Sequence, residues 1–268
     1  MPIIDSHCHI YPTKIAARAV EGIRNFYDMD LGGNGTVEAL LSEGKKAGVT
    51  HFLVHSVSTT PKQVQSINEF LANTVREYPD ELIGFGSLHP DSEDIRGDLK
   101  NLVDLGLRGV KLHPDFQSFE IDSLKAKRLC YLIMQENIPV LIHGGDIRYS
   151  FSNPPQIKRF LESLPGLTVI GAHFAGWSCW EKAADELAGF SNLYVDCSSS
   201  LYALKPEVAR RIIRKFGADK VLFGTDYPMW DVNEELRRLH ALGLTQDEED
   251  KILYKNAAKL FKVKGLGV

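Results

Sequence analysis

Little in this 268-residue chain points to a membrane, a nucleic acid or an oxidising compartment. No apolar run reaches the roughly 20 residues that a membrane span requires. The N-terminus has no basic segment followed by an apolar stretch, so no secretion signal is read. The four cysteines, Cys8, Cys130, Cys179 and Cys197, lie far apart with no CxxC pair. That spacing disfavours a disulfide framework or an all-thiolate metal site and fits free thiols in a reducing cytoplasm. Basic residues do not predominate: 31 Lys and Arg face 35 Asp and Glu, a formal charge of -4, without the footprint of a nucleic-acid binder. The acidic run from Gln246 to Asp250 reads as the first turn of a helix. The expectation is a cytoplasmic protein acting on a small molecule, with neither nucleic acid nor membrane as partner and a homodimer as the compatible assembly.

What is present is a rhythm. Eight short apolar or β-branched runs recur, at Pro2–Ile4 into His9, His51–Val57, Leu82–Leu88, Gly109–His113, Pro139–His143, Thr168–His173, Leu193–Asp196 and Lys220–Asp226. Between them lie amphipathic stretches: Thr36–Lys46, Pro61–Glu77, Ser92–Leu105, Asp122–Asn137, Pro155–Leu164, Cys179–Leu187 and Pro206–Phe216. Several start with Pro, Ser, Thr or Asp, as helix N-termini prefer. Apolar strands alternating with helices indicate parallel βαβ units, and eight of them in one chain of this length predict a single (β/α)8 TIM barrel. An open doubly wound sheet would carry a Gly-rich loop after its first strand, whereas this strand ends in histidines. Asn233–Leu242 and Gln246–Phe261 are read as closing helices, the second started by the capping-box pair Thr245 and Glu248. Residues 1–268 are read as one domain, the connection Tyr11–Gly35 as a long loop fit for a lid.

The polar residues fall in one place. Asp5, His7 and His9 alternate, so a regular strand puts them on one face. His7 and His9 end the first strand, Lys111 and His113 the fourth, His143 the fifth, His173 the sixth and Asp226 the eighth. Barrel enzymes build their sites at the carboxyl ends of strands. A polar group left unsatisfied beside an apolar core costs ~2–7 kcal/mol, so a gathering of them needs a shared partner. Two or three imidazoles with one carboxylate form a catalytic zinc set that leaves a position open for water; manganese, iron, nickel or cobalt suit the same donors. Asp5 is read either as orienting an imidazole or as bonding backbone amides. His143 precedes Gly144-Gly145, where the chain can pass close to a ligand. His89 and His113 sit in two copies of LHPD and are read as strand-end turns; His51, His55 and His240 show no role. Trp177, Trp180, Tyr227 and Trp230 are candidates for an apolar wall at the mouth.

The segments DSHCHI, GVKLHP, VLIHGG, VIGAHFAG, LFGTDYP and ILYKNAAKLF, in this order, resemble the amidohydrolase superfamily of metal-dependent barrels. The likeness is to its amidohydrolase-related branch, which includes aminocarboxymuconate-semialdehyde decarboxylase-like enzymes. The resemblance implies His7, His9, His143 and Asp226 as metal ligands and His173 beside the ion as proton shuttle or electrophile. Asp226 would also take a proton from metal-bound water, whose pKa zinc lowers to about 7. In some branches a lysine at the place of Lys111 is carboxylated and bridges two ions. The decarboxylase-like branch uses one, so a single divalent ion, zinc first, and an unmodified Lys111 meeting a substrate carboxylate are expected, with Trp177 against the substrate. The reaction expected first is hydrolysis of an amide, ester or lactone in a small molecule. The rival is decarboxylation on the same ligands, and the lesser rival a barrel that binds a metal or metabolite without catalysis.

Overall fold

The computed structural model describes residues 2–263, 265 and 266. In chain order the elements are β1 (Ile4–His9), α1 (Thr13–Tyr27), α2 (Val37–Lys46), β2 (His51–His55), α3 (Val64–Glu77), β3 (Leu82–Gly84), β4 (Gly86–Ser87), α4 (Ile95–Asp104) and β5 (Val110–Leu112). There follow α5 (Pro114–Gln117), α6 (Leu124–Gln135), β6 (Val140–Ile142), α7 (Pro154–Ser163), β7 (Val169–Gly171), α8 (Trp180–Leu187), β8 (Leu193–Asp196) and α9 (Pro206–Phe216). Last come β9 (Val221–Leu222), α10 (Val232–His240), α11 (Gln246–Asp250) and α12 (Asn256–Leu260).

Neighbouring strands are parallel and follow chain order, β1-β2-β3 and then β4 through β9. β3 and β4 are two pieces of one barrel strand, parted at Phe85, whose N–H donates to Val54 O at 3.0 Å. The single strand expected from Leu82 to Leu88 is therefore interrupted. The ring closes where Ser6 N donates to Phe223 O at 2.9 Å and His9 N to Tyr227 O at 2.7 Å. The architecture is the (β/α)8 barrel.

Two apolar layers follow from the pleat, which sends alternate side chains to opposite faces. Ile4, Leu53, Ile83, Phe85, Leu141, Ile170 and Leu222 fill the inside; Phe52, Val54, Val110, Val140, Ile142 and Val169 pack outward on the helices. Fully burying a side chain such as Phe85 contributes about 1.5–3 kcal/mol. β1 departs from strict alternation. Its register against β2 shifts between Asp5 and Cys8, so Ile4 joins the inner layer while Cys8 joins the outer one. The single face expected for Asp5, His7 and His9 is broken there.

Helix starts are chemically marked. Thr36 accepts from Ala39 N, Ser123 from Ala126 N, and Asp231 from Asn233 and Glu234 N, each satisfying a donor the helix leaves free. The Thr245–Glu248 capping box forms in both directions. Beyond it the expected continuous helix relaxes into a π-turn over Lys251–Lys255, where Ile252 O accepts from Phe223 N of the strand region at 2.9 Å. Ala257, Ala258 and Phe261 then close the inner layer. The connection read as a loop from Tyr11 to Gly35 is largely helix α1, seated by buried Ala16, Val20 and Ile23. Among the described residues no helix is long and apolar enough to cross a membrane.

Candidate metal centre

β1 delivers His7 and His9 to the carboxyl end of the barrel, and β8 delivers the residue that holds His7. The Nδ1 of His7 lies 2.9 Å from Asp196 Oδ2. The other Asp196 oxygen accepts from His173 N and Ser198 N, both at 3.1 Å, and from Ser198 Oγ at 2.5 Å. A carboxylate only accepts, so His7 carries its proton on Nδ1 and turns the Nε2 lone pair inward. His173 is fixed the same way: its Nδ1 faces Ser198 O and Oγ at 3.0 Å, leaving Nε2 free.

These inward nitrogens meet Asp226. Its Oδ1 is 3.2 Å from His7 Nε2 and 3.4 Å from His9 Nε2, and its Oδ2 is 4.0 Å from His173 Nε2. Ser199 Oγ donates to Oδ2 at 2.6 Å. Asp226 has φ 56° and lies past the end of β9, ahead of a cis Tyr227-Pro228 bond, rather than on the strand. Asp5 takes the amide-bonding role: it accepts from His7 N at 3.2 Å, Thr225 N at 3.0 Å and Thr225 Oγ1 at 2.6 Å. It thereby ties β1 to the segment that carries Asp226.

Burial lowers the pKa of His7 far below its ordinary value, with the nearby Lys111 charge acting the same way, and burial lowers that of His9. Both imidazoles are neutral. Burial alone would push Asp226 up, but its interactions with His7, His173 and His9 outweigh it and hold the carboxyl below its usual range. Neutral imidazoles and an ionised carboxylate are the states a cation needs. The spacing of each imidazole from Asp226 fits too, though among the described residues no set of donor atoms all within 4.8 Å of one another holds His7, His9 and Asp226 together. Two donors each about 2.1 Å from one ion stand about 3.0 Å apart at right angles and about 3.4 Å apart at the tetrahedral angle; the separations of 3.2 and 3.4 Å lie within that range. Among the described residues, two sets of three donors have all their ligand atoms within 4.8 Å of one another: His7, His9 and His55, and His7, His173 and Asp226.

A family model described as amidohydrolase matches residues 4–263. The chain belongs to the amidohydrolase family. An uncharacterised TIM-barrel protein from Bordetella bronchiseptica is 24% identical, with a TM-score of 0.81 over 98% of this chain and 99% of its own. 5-Carboxyvanillate decarboxylase from Sphingomonas paucimobilis is 14% identical, with a TM-score of 0.74 over 97% and 99%. A dihydroxybenzoic acid decarboxylase from a Polaromonas species, with bound manganese and the inhibitor 2-nitroresorcinol, is 16% identical, with a TM-score of 0.74 over 98% and 97%. At these identities the likeness is one of fold. No curated protein matches the chain in sequence.

In this amidohydrolase the structure brings His7, His9, His173 and Asp226 together. His143 stands to one side: its ring stacks on His113 at 4.0 Å and lies 4.9 Å from His173, its Nε2 faces Asp115 Oδ2 at 3.4 Å, and it is in neither donor set. Gly144 and Gly145 admit neighbouring chain rather than a ligand. A Cβ on Gly144 would stand 2.7 Å from Ala175 C, and one on Gly145, at φ +90°, 2.4 Å from Trp177 N. That close approach seats the left-handed turn His173–Ala175. Lys111, expected to meet a substrate carboxylate, is fully buried with Nζ 3.1 Å from His7 Nε2. Burial pulls its pKa down to about 8 against the opposing pull of Asp226 and Asp196.

The cleft above is lined by Tyr27, His143, His173, Trp177, Tyr202 and Trp230, among others. Trp177 sits edge-on to Tyr27 at 5.2 Å, and Trp230 stacks on Tyr202 at 4.3 Å. Trp180 packs instead on the outer core. Tyr227 is buried and its hydroxyl pins Asn34 and Thr36. His113 keeps its turn role, accepting from Phe116 N at the start of α5, while its Nε2 meets Tyr27 Oη at 3.1 Å. Sequence reasoning missed His55, Asp196 and Tyr27. The first two end strands, as His7, His9, Lys111 and His143 are read to do, and that rule applied evenly would have found them. Tyr27 was hidden with its helix.

Proposed function

We propose that this amidohydrolase is a metal-dependent decarboxylase of a small aromatic or unsaturated carboxylic acid. His7, His9 and Asp226 would hold one divalent ion, zinc or manganese, with His143 and His173 beside it. Bound there, the ion would draw charge from a substrate oxygen. His173, with Nδ1 committed to Ser198, presents the Nε2 lone pair to the cleft, takes up a proton there from solvent and passes it to the carbon that loses carbon dioxide. In that step the bond from this carbon to the carboxyl carbon breaks, its electron pair takes up the proton, and carbon dioxide leaves. Tyr27, Trp177, Tyr202 and Trp230 cover the faces of a planar ring, an arrangement such rings favour. The buried Lys111 amine sits beside the same His7 Nε2 that would hold the ion and acts on the donors rather than on the substrate.

The observation that carries this reading is the convergence of neutral imidazoles and one ionised carboxylate on the floor of an aromatic cleft. It is supported by the decarboxylase names that relatives of the same fold bear, one of them with manganese. Hydrolysis of an amide, ester or lactone, the reaction expected first from the sequence, is the second reading. It draws on the family's name and on Asp226, placed to take a proton from water. The test is a panel of hydroxybenzoates, unsaturated acids and lactones given to protein loaded with Mn²⁺ or Zn²⁺. Carbon dioxide release that falls at least 100-fold in Asp226→Asn supports the proposal. Acid released from lactones without carbon dioxide replaces it with the second reading.

A further inference from the structure

Tyr27 lines both halves of a divided cleft. The space beside Asp226 falls into two compartments of about 230 and 300 Å³, each bordered by Tyr27, His143, His173 and Asp226. Trp177 and Trp230 wall the first, and His113 and Phe116 the second. Neither exceeds the bottom of the roughly 300–1,000 Å³ that small-molecule pockets occupy, so room for a ring-sized acid calls for the two to become one.

Tyr27 is held there through the end of its helix. It is the last residue of α1, whose buried side chains are Ala16, Val20 and Ile23, none of them in the last four residues. The grip comes from Arg148. Its Nη1 donates at 2.8 Å to Phe26 O, one of the carbonyls that a helix end leaves without a partner of its own. The guanidinium carbon lies 5.0–5.6 Å from the ring centroids of Phe26, Tyr27, Tyr149 and Trp177, within the ~6 Å over which a ring face draws a cation. The other nitrogens fork onto Asp146: Nε stands 3.0 and 3.2 Å from its two oxygens and Nη2 2.7 Å from Oδ2. Asp146 is fully buried at φ 102°, a conformation that a residue other than glycine keeps where its surroundings enforce it. Its N–H donates to Trp177 O at 3.0 Å. One guanidinium thus ties the end of α1, the segment after β6 and Trp177 into a single closure. The Arg148 side chain is itself 39% exposed, so this closure opens without unpacking the core.

We propose that Tyr27 is the gate of the cleft and that Arg148 is the positioning residue that keeps it shut. Parting Arg148 from Phe26 O lets the end of α1 swing out and merges the two compartments; its return lays Tyr27 over the bound ring and excludes water, as closing lids do. The inference rests on the cleft being the site of the reaction proposed above.

The test uses Arg148→Ala, with Arg148→Lys in its stead if circular dichroism shows that the first does not fold. Lysine keeps the charge but not the planar fork. Amide hydrogen exchange read by mass spectrometry compares the end of α1 with α9 as internal reference. Separately, apo protein is mixed with Co²⁺, Co²⁺-loaded protein with excess chelator, and both rates are followed in the visible bands. Exchange at the end of α1 is expected to be at least tenfold faster, with α9 unchanged. Co²⁺ loading and stripping are both expected to be at least tenfold faster, at an affinity within twofold of wild type. A gate alters the two rates together, whereas damage to the donors lowers affinity. Millimolar methylguanidinium, a match for the place between Asp146 and the rings, should restore slow exchange in Arg148→Ala, and methylammonium should not. Exchange within twofold of wild type overturns the inference, as does faster stripping with loading unchanged, or a rescue that methylammonium equals. Wild-type protein that takes up no Co²⁺ overturns the functional reading instead, and the clasp is then judged on exchange alone.

Discussion

Replacing Asp196 by Asn sets its contacts against one another. One carboxylate oxygen faces His7 Nδ1 at 2.9 Å, and the other takes three donors, His173 N, Ser198 N and Ser198 Oγ. An amide has only one oxygen. If its NH2 faced the three donors, buried N–H and O–H groups would be left unpaired at about 1–3 kcal/mol each. The less costly choice keeps the oxygen there and turns NH2 toward His7. His7 must then accept at Nδ1 and carry its proton on Nε2, the nitrogen 3.2 Å from Asp226 Oδ1. A protonated Nε2 has no lone pair for a cation. The expected outcome is a fall in Zn²⁺ affinity of about 10–100-fold, roughly 1.4–2.8 kcal/mol at 1.4 kcal/mol per tenfold, with the far-ultraviolet circular dichroism unchanged. Competition titration against a chelator at neutral pH measures it. Affinity within twofold of wild type would refute the assignment of proton and lone pair on His7.

Two further outcomes are independent of that one. Glu235 is buried with Oε1 on Arg238 and Oε2 without a partner, and burial raises its pKa from 4.5 to about 7 against the pull of Arg238. The folded state thus binds this proton more tightly than the unfolded chain, so the group's stabilising contribution is complete below about pH 4.5 and is lost as pH rises through 7. The ionised form costs roughly 3 kcal/mol at pH 8. Glu235→Gln should therefore gain on wild type by up to that amount between pH 4.5 and 8 in urea melts; curves that stay parallel with pH would count against it. Removing the ion should destabilise the fold, because a ligand present at a hundred times its Kd contributes about 2.7 kcal/mol. At about 2–4 °C per kcal/mol for a chain near this size, chelator should lower Tm by about 5–10 °C, and Zn²⁺ or Mn²⁺ should restore it.

The barrel was legible because each apolar run and each helix start carries a local signal, and the family likeness rests on short segments that can be read in place. His7 and His9 announce themselves by spacing, a shared face and a strand-end position taken together. Asp196 and His55 do not: Asp196 meets His7 across 189 positions of chain, and His55 meets His9 through sheet register, which no short window contains. Helix α1 was missed because its buried stripe is thin, Ala16, Val20 and Ile23, with the neighbouring Ile15 exposed. The expected common face of Asp5 with the histidines failed at a register shift that leaves no mark in the letters. Hydrolysis and decarboxylation share donors, so ligand residues alone do not rank them.

Asp5 and Asp196 fasten the first strand to the last part of the barrel, and the donors they steady come from both ends of the polypeptide. His7 leaves the ribosome more than two hundred residues ahead of Asp226. No half-made chain can therefore own a finished cation cage, and ion uptake becomes a gauge of whether the ring of strands has shut.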